Sequence, residues 1–150
     1  GAFPYYGAAS ILDYVDDYIF DGVYLLMGED GTVITEDGKP VLQYVSGKFW
    51  VNNHTHVLQG KKPFSTEYVL LQLKNTNVKH IVTGAVQPKI NQGNMNELPV
   101  VIPDEFTLLS FQDIITPIFS NILDTEQETS ILTGIRDNLL PKLMNGEIEV

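Results

Sequence analysis

Three groups of residues in this 150-residue chain are of types that do chemistry. His54 and His56 stand two apart, which in a strand puts both imidazoles on one face, as a zinc site would use. Zinc asks for three or four ligands, however. The chain has no Cys, His80 is its one further imidazole, and it holds no His-Glu-x-x-His pattern, so histidines engaged in hydrogen bonds are the favoured reading and a metal hydrolase the weaker one. Asp16 and Asp17 are adjacent, and adjacent carboxylates in a strand point to opposite faces, which spoils them as an acid–base pair. The third group is Thr83-Gly84-Ala85-Val86-Gln87-Pro88-Lys89-Ile90-Asn91, rich in amides and glycine, with one cation and no acid until Glu97. It reads as an irregular surface loop whose Gln, Asn and Lys donors suit a polar ligand, or else as a plain connector. There is no Gly-x-Ser-x-Gly, no phosphate-binding glycine loop, no Cys nucleophile and no methyltransferase motif. The chain reads as a reader or adaptor, not a catalyst.

The elements that must position these residues change in kind at that loop. Before it, short strand-like runs are broken by Gly, Asn, Asp and Pro. Phe3-Pro4-Tyr5-Tyr6-Gly7 predicts an extended segment entering a turn. Tyr18-Ile19-Phe20, a turn at Asp21-Gly22 and the apolar run Val23–Met27 predict strands, the last of them buried. Asp30-Gly31 predicts a turn into Val33-Ile34, since the acids there lack the alternating spacing of a calcium loop. Further strands are predicted over 41–45, 49–51 and 55–58, then a helix capped by Ser65 and ending near Lys74-Asn75. His80-Ile81-Val82 and Leu98–Ile102 are each predicted as short strands.

From Glu105 onward the spacing is helical. Leu108, Phe111, Ile115, Ile118 and Ile122 recur at alternating steps of three and four, and Leu132, Ile135 and Leu139 extend the seam. Thr125 and Thr129 are polar where that seam continues. Pro117 predicts a kink or break near Thr116, and Pro141, Gly146 and the polar ending predict the stop. A helix over 105–140 would run ~54 Å, too long to bury its stripe on a body of about a hundred residues, so it needs a partner helix. The fold class is therefore α+β: a mixed β-rich body, then a long α-helix that requires a second helix against its apolar stripe.

Charge is unevenly placed. Residues 1–38 carry eight acids and no Lys or Arg; 39–89 carry seven Lys against Glu67; 90–150 carry ten acids against Arg136 and Lys142, for a net −10. A basic middle block inside an acidic chain predicts an anion-binding face if folding gathers the lysines, and a scattered solvated surface if it does not. No apolar run approaches the ~20 residues of a bilayer span, no signal-peptide pattern is present, and zero Cys permits a reducing compartment. The expected location is cytoplasmic.

Four blocks, in order, resemble the specificity subunit of type I restriction-modification systems: Tyr5-Tyr6-Gly7-Ala8; Gly47-Lys48-Phe49-Trp50-Val51-Asn52-Asn53-His54-Thr55-His56-Val57-Leu58; Thr83–Asn91; and Arg136-Asp137-Asn138-Leu139-Leu140-Pro141-Lys142-Leu143-Met144-Asn145-Gly146-Glu147-Ile148. The resemblance implies an N-terminally incomplete, mixed β-rich target-recognition domain over 1–104 that reads one half of a split DNA sequence, with 105–150 as the distal spacer helix and tail, pairing as an antiparallel coiled coil. Its implied partners are double-stranded DNA, methyltransferase subunits, the restriction/translocase subunit and a second spacer helix from the same subunit or a homodimer partner, with no membrane. It implies no cofactor on this chain; S-adenosylmethionine and ATP belong to the partner subunits. The chain departs from the family in being about half its length or less, so that the first strands of the domain and the partner helix are expected outside it. Ala9-Ser10 also stand where related sequences often carry a polar residue and glycine. Candidate DNA contacts are Lys48, Lys61, Lys62 and Lys89 for phosphates, the amides Asn52, Asn53, Gln87 and Asn91 for base edges, and His54; Asn52-Asn53-His54 reads equally as a hydrogen-bonded turn. Leu108, Phe111, Ile115, Ile118, Ile122, Leu132, Ile135 and Leu139 are the candidate helix-pairing residues. The rival is a protein-interaction scaffold that docks through the helix and reads no DNA.

Overall fold

A computed structural model describes residues 1–148; the expected carboxyl-terminal tail lies partly outside them. Seven short strands come first: β1 (Phe3–Tyr6), β2 (Ile11–Val15), β3 (Phe20–Asp21), β4 (Tyr24–Gly28), β5 (Leu42–Val45), β6 (Lys48–Val51) and β7 (Thr55–Leu58). Helices α1 (Thr66–Lys74), α2 (Gln92–Asn96) and α3 (Glu105–Met144) follow. The mixed α+β class expected from the sequence is what the chain adopts.

The strands form two sheets, ordered β2-β1-β6-β3 and β5-β4-β7. β4 lies between two antiparallel neighbours, and Leu25, Leu26 and Met27 on it are wholly buried. A strand covered on both faces has no reason to alternate, which is why Val23–Met27 reads as a continuous apolar run. Phe49 on β6 is the hinge of the core. Its ring centroid is 5.3 Å from Phe20, 5.6 Å from Tyr24 and 5.7 Å from Tyr6, and it clusters with Leu26, Val45 and Val51. Residues of both sheets thus share one aromatic cluster, each ring pair adding to plain area burial.

Helix α1 begins where Ser65 accepts from the Tyr68 N–H and ends at Asn75, as predicted. Two predicted strands are corrected. Leu98–Ile102 pairs with no strand; its Val101 carbonyl accepts from Tyr68 Oη at 2.6 Å, and its Val101 N–H donates to Gln72 Oε1 at 3.2 Å. Side chains of α1 satisfy that backbone, so no sheet partner is needed. His80–Val82 is instead a 3-10 turn over Lys79–Ile81, because Asn77 Oδ1 accepts from the Lys79 N–H at 3.0 Å and turns the chain. Val33-Ile34 forms a bridge to Pro40 and no more, closed by the Thr35 hydroxyl, which accepts from the Lys39 N–H.

Helix α3 starts at an Asp104 cap that accepts from Thr107 N–H and hydroxyl. The Thr107 bonds hold the Asp104 carboxyl below its ordinary value. Of the kink or break expected near Thr116, the break does not occur: α3 is continuous across Pro117 and Pro141 for 40 residues, ~60 Å. Asp113, four residues before Pro117, is exposed, so water can take the carbonyl that the proline leaves unpaired. The helix passes through Pro141 to Met144 and is stopped at Gly146 (φ +69°), one of the stops expected, where the Gly146 and Glu147 N–H groups bond back to the Leu143 and Lys142 carbonyls. By length and composition alone α3 is apolar enough to cross a membrane, with polar residues such as Ser110, Gln112 and Thr116 spaced along it.

The chain divides into two compact units, Gly1–Gln112 and the residues from Asp113 on. Within the first, Leu108 is 2% exposed, Phe111 meets the Tyr68 ring at 5.9 Å, and Gln112 accepts from Ser65 N–H at 2.6 Å while donating to the Pro63 carbonyl at 3.1 Å. Two residues assigned from the sequence to the pairing seam, Leu108 and Phe111, thus pack within the body. In the second unit Ile118, Ile122, Leu132, Ile135 and Leu139 are exposed; Ile115 is half-buried. Thr125 and Thr129 donate to the carbonyls of Asn121 and Thr125, so neither hydroxyl interrupts the seam with an unmet bond.

Candidate nucleic-acid interface

The Thr83–Lys89 segment folds as a closed loop. Thr83 and Lys89 exchange backbone hydrogen bonds, both 2.8 Å. Gly84 makes the turn inside them at φ +86°, and a Cβ there would lie 2.1 Å from the Gln87 carbonyl oxygen, so only glycine fits. The tip is exposed throughout, Val86 to 99%.

The base of the loop is pinned to the end of β4. The Gly31 N–H donates to the Pro88 carbonyl at 3.0 Å and the Ile90 N–H to the Glu29 carbonyl at 2.9 Å. Ile90 is fully buried, and its carbonyl is 2.7 Å from His56 Nε2. Side chains add a second tie. Lys89 Nζ lies 3.2 Å from Glu29 Oε1 and 3.1 Å from Asp30 Oδ2, and the same Asp30 oxygen is 3.1 Å from His54 Nδ1. The His54 bond first, then Lys89, holds the Asp30 carboxyl below its ordinary value. Asp30, then Glu29, holds the Lys89 ammonium above its own. Lys89, Glu29 and Asp30 together carry a net negative charge, so these three groups offer a phosphate no attraction of their own.

The structure divides the predicted contact residues. His54, Lys89 and Asn91 gather where β4 ends, since Gly28 pairs with Thr55. Lys61 and Lys62 are exposed beyond Leu58, which pairs with Leu25 at the other end of that ladder. Lys48 faces Asp21 in β3 and lies 4.6 Å from the Tyr18 ring. Lys39 donates to the Asn75 carbonyl. The basic block is therefore dispersed, with several of its members engaged within the fold. Asn52 Oδ1 accepts from the His54 N–H and the Thr55 hydroxyl, making the turn into β7 that leaves Asn53 exposed. Asn91 caps α2 by accepting from the Asn94 N–H. Gln87 is exposed at the tip. The two histidines take different partners, because His54 sits in the turn and His56 in the strand. The sequence marks Glu29 and Asp30 as part of a turn, with a metal loop the weaker reading, and gives neither these two nor Val86 a place in the site. An acidic pair directly after a buried strand, in a chain whose amide loop holds a single Lys, was the available signal.

Residues 1–136 match the family described as type I restriction modification DNA specificity domain. Curated relatives agree. S.HindORF215P of Haemophilus influenzae, named for a type I restriction enzyme specificity subunit, is 36% identical over 69% of this chain and 26% of its own length. The MjaIX specificity subunit of Methanocaldococcus jannaschii is 26% identical over 83% of this chain and 31% of its own. The EcoDI specificity subunit of Escherichia coli is 24% identical over 99% and 33%. The chain spans a quarter to a third of the length of these relatives.

Proposed function

The chain belongs to the family of type I restriction-modification DNA specificity domains, and on that premise we propose that residues 1–104 read one half of a bipartite DNA target. In this reading α3 is the spacer that pairs with a second helix, from the same subunit or another copy. Methyltransferase and restriction subunits, carrying S-adenosylmethionine and ATP chemistry, are directed to the site in the cytoplasm. The chain itself supplies recognition.

The observation that carries this reading is the pinned loop. Its base is fixed by backbone and charged side chains, while Ala85, Val86 and Gln87 meet solvent. A base reader needs this combination, because discrimination is lost when the reading groups move. Gln87 has the amide to bond adenine in two places, and Val86 the methyls to contact thymine. Exposed Lys61 and Lys62 have the charge for phosphates, which position a domain without encoding sequence. On α3 the exposed residues Ile118, Ile122, Leu132, Ile135 and Leu139 support pairing.

Selection from a randomised duplex pool tests the reading. The expected result is enrichment of one short motif, with affinity falling steeply as salt rises. A chain that enriches nothing and still associates through α3 is the scaffold of the rival reading.

A further inference from the structure

We infer that Asp30 is the positioning residue of the loop and that Lys89, the one cation of the 83–91 segment, is an internal strut and not a phosphate ligand. The inference deepens the DNA-reading proposal and rests on it. Four observations carry it. Asp30 Oδ2 receives both Lys89 Nζ and His54 Nδ1, each at 3.1 Å, so one carboxylate oxygen joins the loop base to the turn before β7. Asp30 and Lys89 are also bridge partners in the backbone, which makes the side-chain tie and the main-chain tie parallel restraints on one position. Glu29 adds a second carboxylate to the same ammonium at 3.2 Å. Finally, Asp30 is the more sheltered partner, its side chain 17% exposed against 41% for Lys89, so the carboxylate is the fixed end and the lysine is drawn to it.

This arrangement assigns the acids a double task. They orient the loop, and they cancel a cation that would otherwise bind any phosphate backbone. Removing Asp30 therefore has two opposite effects. The loop loses the tie that aims its tip, which lowers discrimination between sequences. Lys89 is partly released and a negative charge disappears, which strengthens sequence-independent binding. A lysine that contacted phosphate directly would behave the other way. Its loss would shallow the dependence of log affinity on log salt by about one contact, ~0.9 for duplex DNA, and would spare discrimination.

The test uses the whole chain with two probes: a fixed duplex of mixed sequence for non-specific affinity across a salt series, and the randomised duplex pool for discrimination. Asp30→Asn is expected to bind the fixed duplex about tenfold more tightly at low salt, with a steeper salt dependence by about one contact, and to enrich its motif several-fold more weakly. The double variant Asp30→Asn/Lys89→Met should return the salt dependence to that of the native chain while discrimination stays weak. A merely structural role for the tie predicts no such split; both bindings would fall with the melting temperature. Lys89→Met alone provides a second reading if Asp30→Asn does not fold: an unchanged salt dependence supports the strut, and a shallower one overturns it. If the native chain enriches a motif and Asp30→Asn enriches it equally, the inference fails and the DNA reading stands. If the native chain enriches nothing, both fail together.

Discussion

Lys89 Nζ stands 3.1 Å from Asp30 Oδ2 although 59 positions separate the two residues. That pair closes the distance between the end of the buried central strand and the amide-rich loop. It acts beside the backbone bonds of Gly31 to Pro88, Ile90 to Glu29 and Thr83 to Lys89 that hold the same base. The turn at Gly84, the exposed tip and the buried Ile90 all hang from a base with a fixed start and a fixed end.

The pair sets a pH range for the loop. Asp30's carboxyl is held below its ordinary value of 3.8 by the His54 and then the Lys89 bond, so its stabilisation is present above 3.8 and is lost as pH falls through the lower folded value. Lys89 is held above its ordinary 10.5 by Asp30 and then Glu29, so its contribution is present below 10.5 and is lost as pH rises through the higher folded value. The tie is therefore intact across the neutral range and loosens at both extremes. Carbon-detected NMR titration should show Asp30 protonating later than a free aspartate as acid is added; protonation at the ordinary value would mean the tie does not form in solution.

Gly84→Ala forces a Cβ toward the Gln87 carbonyl in a backbone region costing ~1–2 kcal/mol for an L-residue. Faster amide exchange confined to 83–89, with global melting nearly unchanged, is the expected outcome. A variant whose loop amides exchange as in the native chain would show that the turn tolerates a side chain.

The start of α3 is a structural anchor. Leu108→Ala should cost ~2–5 kcal/mol by opening a cavity, and Gln112→Ala ~1–3 kcal/mol by stripping a partner from the Ser65 N–H and the Pro63 carbonyl. Denaturant unfolding measures both. Losses under half a kcal/mol at either position would place these residues outside the core.

The later seam makes a different prediction. Ile122→Glu with Ile135→Glu puts charges where both residues are exposed, so stability of the isolated body should change by no more than ~0.5 kcal/mol. Where the proposed pairing joins two copies of the chain, sedimentation equilibrium should show that association lost. Unchanged association would point to a contact other than the α3 seam.

The sequence carried some of this directly. Continuous apolarity marked β4, Ser65 marked the start of α1, and three-four spacing marked α3, because each is a local pattern with a local cause. What it did not carry depended on partners far along the chain. Leu98–Ile102 has the composition of a strand and is held by Tyr68 and Gln72 instead. Lys89 reads as a free cation until Glu29 and Asp30 are brought beside it. Asn91 and Asn52 read as adaptable donors, yet each has an oxygen committed to a local cap or turn. Composition names the groups available; which of them remain available after folding is decided by contacts tens of residues away.

The most direct measurement is methylation mapping after a segment exchange. Residues 1–104, placed within a full-length subunit beside its methyltransferase, would be replaced by the matching segment of a relative. The account predicts that one half of the methylated bipartite sequence changes and the other half stays. Methylation that continues at the original sequence would contradict it, and would locate base reading outside this domain.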